Sequence, residues 1–169
     1  MTRFTTAWHP TPVGDALLAF ADDDLVALRL EHDDREYATV RMARLLGEAP
    51  SPDDAAGAEI GRQLDEYFAG TRQSFDVSLD WRFANGFTRV ALQAVVEIPY
   101  GETASYGEIA MHAGKPRAAR AVGTACRTTP FSLIVPVHRV VRSDGSIGEY
   151  GGHPEVKQFL LTLERGEGE

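Results

Sequence analysis

From Met111 to Arg142 the chain holds six basic residues (Lys115, Arg117, Arg120, Arg127, Arg139 and Arg142) and no Asp or Glu. The whole sequence of 169 residues carries a formal charge of -8, so this segment is set apart from the rest. A long acid-free basic stretch is an electrostatic footprint for phosphates. Inside it, the apolar run Phe131 to Val135 ends at Pro136. Proline restricts the residue before it to extended backbone. A buried strand is therefore predicted to stop there and to deliver Val137 and His138 to a turn.

The remaining charge is unevenly placed. Residues 1–86 carry eight basic and sixteen acidic side chains, whereas residues 87–166 carry nine basic and seven acidic ones. A nucleic-acid partner would meet the second half, and the acidic first half would be a scaffold or a face that avoids DNA. No run of about 18 apolar residues exists, so no membrane span is expected. Met1 to Ala7 lacks the order of a secretory signal, which points to a cytoplasmic protein. A single cysteine, Cys126, excludes an internal disulfide, and no Cys/His cluster has zinc spacing. Neither a metal nor a cofactor is expected.

Phe4 to Trp8, Ala16 to Phe20 and Leu25 to Leu30 read as strands, turning at Gly14-Asp15 and at Asp22 to Asp24. Arg35 to Leu46 has helical spacing in Tyr37, Val40, Ala43 and Leu45, and Gly47 and Pro50 end it. Ala55 to Phe68 reads as a second helix with Ile60, Leu64, Tyr67 and Phe68 on one side. Phe75 to Leu79 alternates as a strand does. His9 and His32 read as surface residues. These elements make a small α+β domain over residues 1–84.

Asn85-Gly86 marks the boundary to a second domain, 85–169. Asn85 can cap a helix from Phe87 to about Glu97 whose apolar face is Phe87, Val90, Ala91, Ala94 and Val95. Ser105 and Glu108 form a capping box for a helix to about Ala113. Gly114-Lys115-Pro116 is a tight connection to a basic helix, Arg117 to Arg127. Two short helices across a glycine-containing turn, the second basic, form a helix-turn-helix pattern. Pro154 to Glu164 reads as a closing helix with Val156, Phe159, Leu160 and Leu163 inward.

Pro136 to Val141 resembles the Pro-Cys-His-Arg-Val-Val active-site motif of the O6-alkylguanine-DNA alkyltransferases, also called methylated-DNA–protein-cysteine methyltransferases. Ile98 to Thr103, Ser105-Tyr106, Ala118 to Gly123 and Tyr150 to Gly152 resemble further motifs of that family, in order and at matching spacing. The resemblance implies an α+β fold: a small ribonuclease-H-like N-terminal domain, then a helical, winged helix-turn-helix-like alkyltransferase domain. It implies double-stranded DNA containing O6-alkylguanine as partner, another repair protein downstream, and a monomer. Residues matching the family's DNA-binding positions are Tyr106, Arg117, Ala119, Arg120, Gly123 and Arg127. Tyr106 matches the tyrosine that crowds the target phosphate, and Arg120 the finger that fills the stack when the base flips out. The small residues Ala118, Ala119, Ala121 and Gly123 suit close approach to the minor-groove floor. The matching alkylguanine pocket is Cys126, Val137, His138, Val140, Tyr150 and Gly151.

Two residues depart from the family's pattern. Val137 stands where the family has its acceptor Cys, and valine offers no lone pair or ionisable proton, so alkyl transfer to this position is impossible. Thr129 stands where the family usually has an Asn that supports the thiolate. His138 and Glu164 match the residues that relay the thiol's proton, and they read as a retained structural pair; Arg139 reads as an anchor for the turn. The leading expectation is thus a non-enzymatic, alkyltransferase-like protein that flips and holds O6-alkylguanine for DNA repair. One alternative is a methyltransferase with a relocated acceptor, Cys126, its pKa lowered by Arg127 and neighbouring basic groups. The other is a paralogue that binds DNA or protein without lesion recognition.

Overall fold

The computed structural model describes residues 2–167. These divide into two compact units. One comprises the chain through Phe83 together with Pro130–Ser132, and the other Ala84–Thr129 with the chain from Leu133 onward.

In the first unit three strands, β1 (Phe4–Thr11), β2 (Gly14–Ala21) and β3 (Asp24–Glu31), form an antiparallel meander. A two-residue strand, β4 (Ser51–Pro52), adds in parallel to β1, giving the order β3-β2-β1-β4. The strands run further than the turn residues alone predict, because ladder pairing continues to Thr11 opposite Gly14 and to Ala21 opposite Asp24. β2 is buried at every position from Ala16 to Ala21, as a central strand covered on both faces must be. On one face Leu17, Ala19 and Ala21 share a core with helix α1 (Arg35–Leu46). On the other, Gly57 lies so near Ala7 and Leu18 that a Cβ there would stand 2.7 Å from that of Ala7. Gly57 closes a 3-10 turn that leads into helix α2 (Ala58–Phe68).

Two expectations for this unit need correction. The buried stripe of α1 is Ala38, Met42 and Leu46, whereas Tyr37 and Val40 are exposed. An i, i+4, i+8 ridge meets the sheet, and the aliphatic spacing read from sequence was one position out of phase with it. Phe75 to Leu79 is not a strand. Gln63 on α2 takes both backbone bonds of Asp76, accepting from its N–H at 2.9 Å and donating to its C=O at 3.0 Å. Only Leu79 bridges to Leu25. A side chain thus takes the backbone groups of Asp76, and Leu25 takes Ser78 C=O (2.9 Å) and Asp80 N–H (2.8 Å), so no longer ladder forms.

The second unit is helical. Helix α3 (Gly86–Val96) starts at Asn85, which takes the N-cap position without a side-chain cap bond. It buries Ala91, Leu92 and Val95 and leaves Val90 exposed, so the inward face is rotated from the predicted one. Helix α4 (Tyr106–His112) has the predicted capping box, with both Ser105–Glu108 bonds at 3.0 Å. Helix α5 (Ala119–Arg127) packs against α3 and α4. Two short parallel strands, β5 (Ala104–Ser105) and β6 (Val140–Val141), join the front of α4 to the end of the turn at Pro136. Helix α6 (Pro154–Glu164) closes the unit. It buries Val156, Lys157, Leu160, Leu161 and Glu164, while Phe159, predicted inward, is 43% exposed. No helix among the described residues is long and apolar enough to cross a membrane.

The run Phe131 to Val135 is not a continuous strand. Pro130 and Ser132 bond Leu28 on β3 through Leu28 N–H to Pro130 C=O (2.8 Å) and Ser132 N–H to Leu28 C=O (3.0 Å). Phe131 meets Trp81 edge-on at 5.2 Å. The chain then turns at Leu133, whose φ of 71° is left-handed and breaks any strand.

Candidate functional site

The turn that presents Val137 is built in two steps. Pro136 (φ -78°, ψ 63°) makes an inverse γ-turn, with Val137 N–H donating to Val135 C=O at 2.7 Å. A single 3-10 turn, Val137–Arg139, follows and runs straight into β6. All three of its residues are buried.

What holds this turn is a carboxylate on α6. Arg139 Nε donates to Glu164 Oε1 at 2.7 Å and Nη2 donates to Oε2 at 3.0 Å, while Nη1 donates to Ile98 C=O at 2.8 Å. His138 Nε2 bonds Glu164 Oε2 at 2.7 Å. The Gly101 N–H donates to Oε1 at 3.4 Å. One carboxylate thus ties the end of α3, the loop after it and the 3-10 turn to α6. Burial pushes the His138 pKa down against the opposing pull of Glu164. Arg139 therefore anchors the turn, as read from the sequence, and its guanidinium is committed to protein partners.

A second group gathers around Tyr106. Its ring lies against Gly123 on α5, where a Cβ would stand 3.9 Å away, and its hydroxyl lies beside Gly148. Lys157 on α6 is 1% exposed; its Nζ donates to Val140 C=O at 2.6 Å and sits 5.8 Å from the Tyr106 ring centre. Burial pushes the lysine pKa down to about 8. It pushes the Cys126 thiol up to about 12, against a smaller opposing pull from Lys157. The prediction that basic neighbours lower the Cys126 pKa is corrected here: desolvation of a thiolate outweighs one nearby ammonium.

The helix predicted over Arg117–Arg127 begins at Ala119 instead. Ala118 N–H bonds Lys115 C=O at 2.9 Å, closing a turn that keeps Arg117 and Ala118 off the helix. Arg117, Arg120 and Arg127 are all exposed, and Arg120, Ala121, Thr124 and Arg127 share the outer stripe of α5. Gly123 faces Tyr106, where a Cβ would make ordinary contact with the ring, and so it does not lie on the outer face. Ala119 is half-buried and Gly151 exposed. Among the pocket candidates, Val137, His138 and Val140 are buried, while Cys126 and Tyr150 are half-buried. The Tyr150 hydroxyl itself is buried. The sequence reading missed Lys157; a lysine on the apolar stripe between Val156 and Leu160 was the available signal.

The 6-O-methylguanine DNA methyltransferase family supplies two matching models: its ribonuclease-like domain at residues 4–81 and its DNA binding domain at residues 86–166. A methylated-DNA–protein-cysteine methyltransferase of Mycolicibacterium paratuberculosis is 44% identical over 155 residues, covering 92% of this chain and 88% of that protein. The constitutive methylated-DNA–protein-cysteine methyltransferase of Bacillus subtilis is 36% identical over 166 residues, 98% and 96% of the two chains. The crystal structure of Mycobacterium tuberculosis O6-methylguanine methyltransferase superposes with a TM-score of 0.83 at 38% identity, covering 100% of this chain and 96% of that one. A structure of Mycobacterium tuberculosis OGT in complex with DNA gives 0.81 at 39% identity, covering 98% and 94%. In both domains and over nearly its whole length, this chain belongs to the 6-O-methylguanine DNA methyltransferase family.

Proposed function

We propose that this chain binds DNA, rotates O6-alkylguanine out of the duplex into the pocket beside Val137, and holds it for other repair proteins without accepting the alkyl group. The observation that carries this reading is the buried valine at the acceptor position, set in an otherwise complete turn. Val137 is 5% exposed and the His138–Glu164–Arg139 bonds around it are all made. Methyl transfer needs a nucleophile that can carry the carbon away, and a valine side chain has none. The exposed basic residues Lys115, Arg117, Arg120 and Arg127 on α5 and the turn before it supply the phosphate contacts. Arg120 enters the stack, and Tyr106 crowds the target phosphate. The mycobacterial relative in complex with DNA supports DNA as the partner.

The names of the relatives favour a second reading, transfer to Cys126, the sole cysteine. Against it, burial holds that thiol protonated at neutral pH, and the bonded His138–Glu164 pair belongs to the turn beyond Phe131. Intact-mass measurement after incubation with O6-methylguanine DNA separates the two readings: an added methyl would establish Cys126 as acceptor. The binding test is a fluorescence-anisotropy titration at physiological salt, comparing a duplex with one O6-methylguanine against the same duplex with guanine. A preference of about tenfold, or about 1.4 kcal/mol, is expected. Equal affinity would overturn lesion recognition and leave a general DNA-binding or protein-binding role.

A further inference from the structure

Strand β6 runs parallel to β5, with Ala104 opposite Val140 and Ser105 opposite Val141. The residues that follow this ladder are Tyr106 on one side and Arg142 on the other. Their side chains converge on Gly148. A Cβ placed there would stand 3.4 Å from the Tyr106 hydroxyl and 3.8 Å from both Cγ and Nε of Arg142. Such an atom would enter the space between the two groups, and the left-handed φ of 78° at Gly148 disfavours any side chain. A notch with a hydroxyl on one wall and a guanidinium on the other is thereby kept open.

Both walls donate hydrogen bonds. Burial pushes the Tyr106 pKa up, so its hydroxyl keeps its proton. Arg142 is exposed and carries its charge at any working pH. The backbone under it is a closed turn, with Arg142 N–H donating to Ser146 C=O and Gly145 N–H to Arg142 C=O, both at 2.9 Å. The buried ammonium of Lys157, 5.8 Å from the Tyr106 ring centre, adds positive charge from within the unit. Of the two acids in the loop, Asp144 is engaged by Ser146, accepting from its N–H at 2.9 Å and its hydroxyl at 2.7 Å. Glu149 is exposed, where solvent screens its charge. Two donors in a positive field fit an anion with several acceptor oxygens, and a guanidinium suits the phosphate group in particular.

We propose that Arg142 is a further DNA-binding residue, which closes on the same phosphate as Tyr106 and grips the backbone of the rotated nucleotide. This rests on the lesion-binding reading above. Tyr106 crowds that phosphate while the nucleotide is stacked, so the notch receives it only as the nucleotide turns outward. Arg142 therefore differs in kind from Lys115, Arg117 and Arg127, whose phosphate contacts serve damaged and undamaged duplex alike. A contact made in one state only shifts the population toward that state.

The test is an anisotropy titration of the full chain, native and Arg142→Ala, with a duplex carrying one O6-methylguanine and the same duplex carrying guanine. Arg142→Ala should bind the lesion duplex about tenfold more weakly, as loss of a charge-assisted bond predicts. Its affinity for the guanine duplex should stay within about twofold of native, which also shows that the variant is folded. The slope of log affinity against log salt should fall by about one on the lesion duplex only. Arg142→Ala combined with Tyr106→Phe should lose less than the product of the two single losses, because both groups hold one phosphate. Equal weakening on both duplexes, weakening on neither, or losses that multiply would each overturn the shared clamp and leave the lesion-binding reading standing. A native chain that binds both duplexes equally would overturn that reading and the clamp together.

Discussion

Replacing Val137 by Cys asks whether the site lacks only its acceptor. The position is buried, and exchanging two methyl groups for one sulfur costs about 1 kcal/mol, small against the roughly 5–15 kcal/mol that holds a typical domain folded. The new thiol stands one residue from His138, whose ring is neutral and held by Glu164 at 2.7 Å, with Nδ1 unpartnered and able to take a proton. An unassisted thiol of pKa about 8.5 is only about 3% ionised at pH 7. Complete ionisation would raise the reactive fraction about thirtyfold, which is the upper limit, and the depressed basicity of the buried His138 ring keeps the gain below it. Thr129, buried in the turn before Pro130, is the second deficit. A hydrogen bond from an Asn to a charged group contributes about 1.5–3 kcal/mol, or about ten- to a hundredfold in rate. The expected order is no transfer in the native chain, slow single-turnover transfer in Val137→Cys, and about ten- to a hundredfold faster transfer in Val137→Cys with Thr129→Asn. Intact-mass spectra at timed intervals, after mixing with excess O6-methylguanine duplex, read all three. If the double variant gains no methyl, the turn does not present position 137 to the lesion, and the view of a site intact except at positions 137 and 129 fails.

Three further outcomes follow from the same geometry. Glu164→Leu leaves Arg139 and His138 buried without their shared partner, and breaking a buried ion pair in this way should cost about 3–5 kcal/mol in urea unfolding; a loss below about 1 kcal/mol would show that the network does not hold the turn. Lys157 titrates at about 8 in the folded chain against 10.5 for an ordinary lysine, so between those values the unfolded chain binds more protons and stability rises with pH. The native chain should accordingly gain stability relative to Lys157→Met as pH goes from 8 to 10 in matched urea titrations, and a flat difference would refute the depressed pKa. Arg120→Ala should weaken binding to the O6-methylguanine duplex about tenfold or more; unchanged affinity would remove Arg120 from the base-flipping role.

Local signals proved most legible where they are self-contained. The Ser105–Glu108 capping box, the glycine stop of α1 at Gly47 and the proline start of α6 each depend on a few adjacent residues, and each stands where the sequence puts it. The errors occurred where a distant group decides. Nothing within Phe75–Leu79 announces that Gln63 will take the backbone bonds of Asp76. Likewise, the apolar run after Pro130 does not disclose that Leu133 adopts a left-handed turn. The same limit applied to charge. Arg127 next to Cys126 suggested an activated thiol, whereas exposure carries the arginine outward and burial raises the thiol.

The persistence of His138, Arg139 and Glu164 beside a valine has a physical explanation that does not involve catalysis. Arg139 joins Ile98, at the end of α3, to Glu164, near the end of α6, and Glu164 also receives His138 and Gly101. Removing any one of these leaves a charge or a polar atom buried without its partner, at a cost of several kcal/mol, whether or not a thiol is present. Val137, an apolar side chain, is free of that constraint. A chain released from thiol chemistry would therefore change at that position while the motif around it stayed readable. Motif resemblance at this turn is accordingly evidence for how the turn is held, and the residue at position 137 decides whether the turn itself supplies an acceptor.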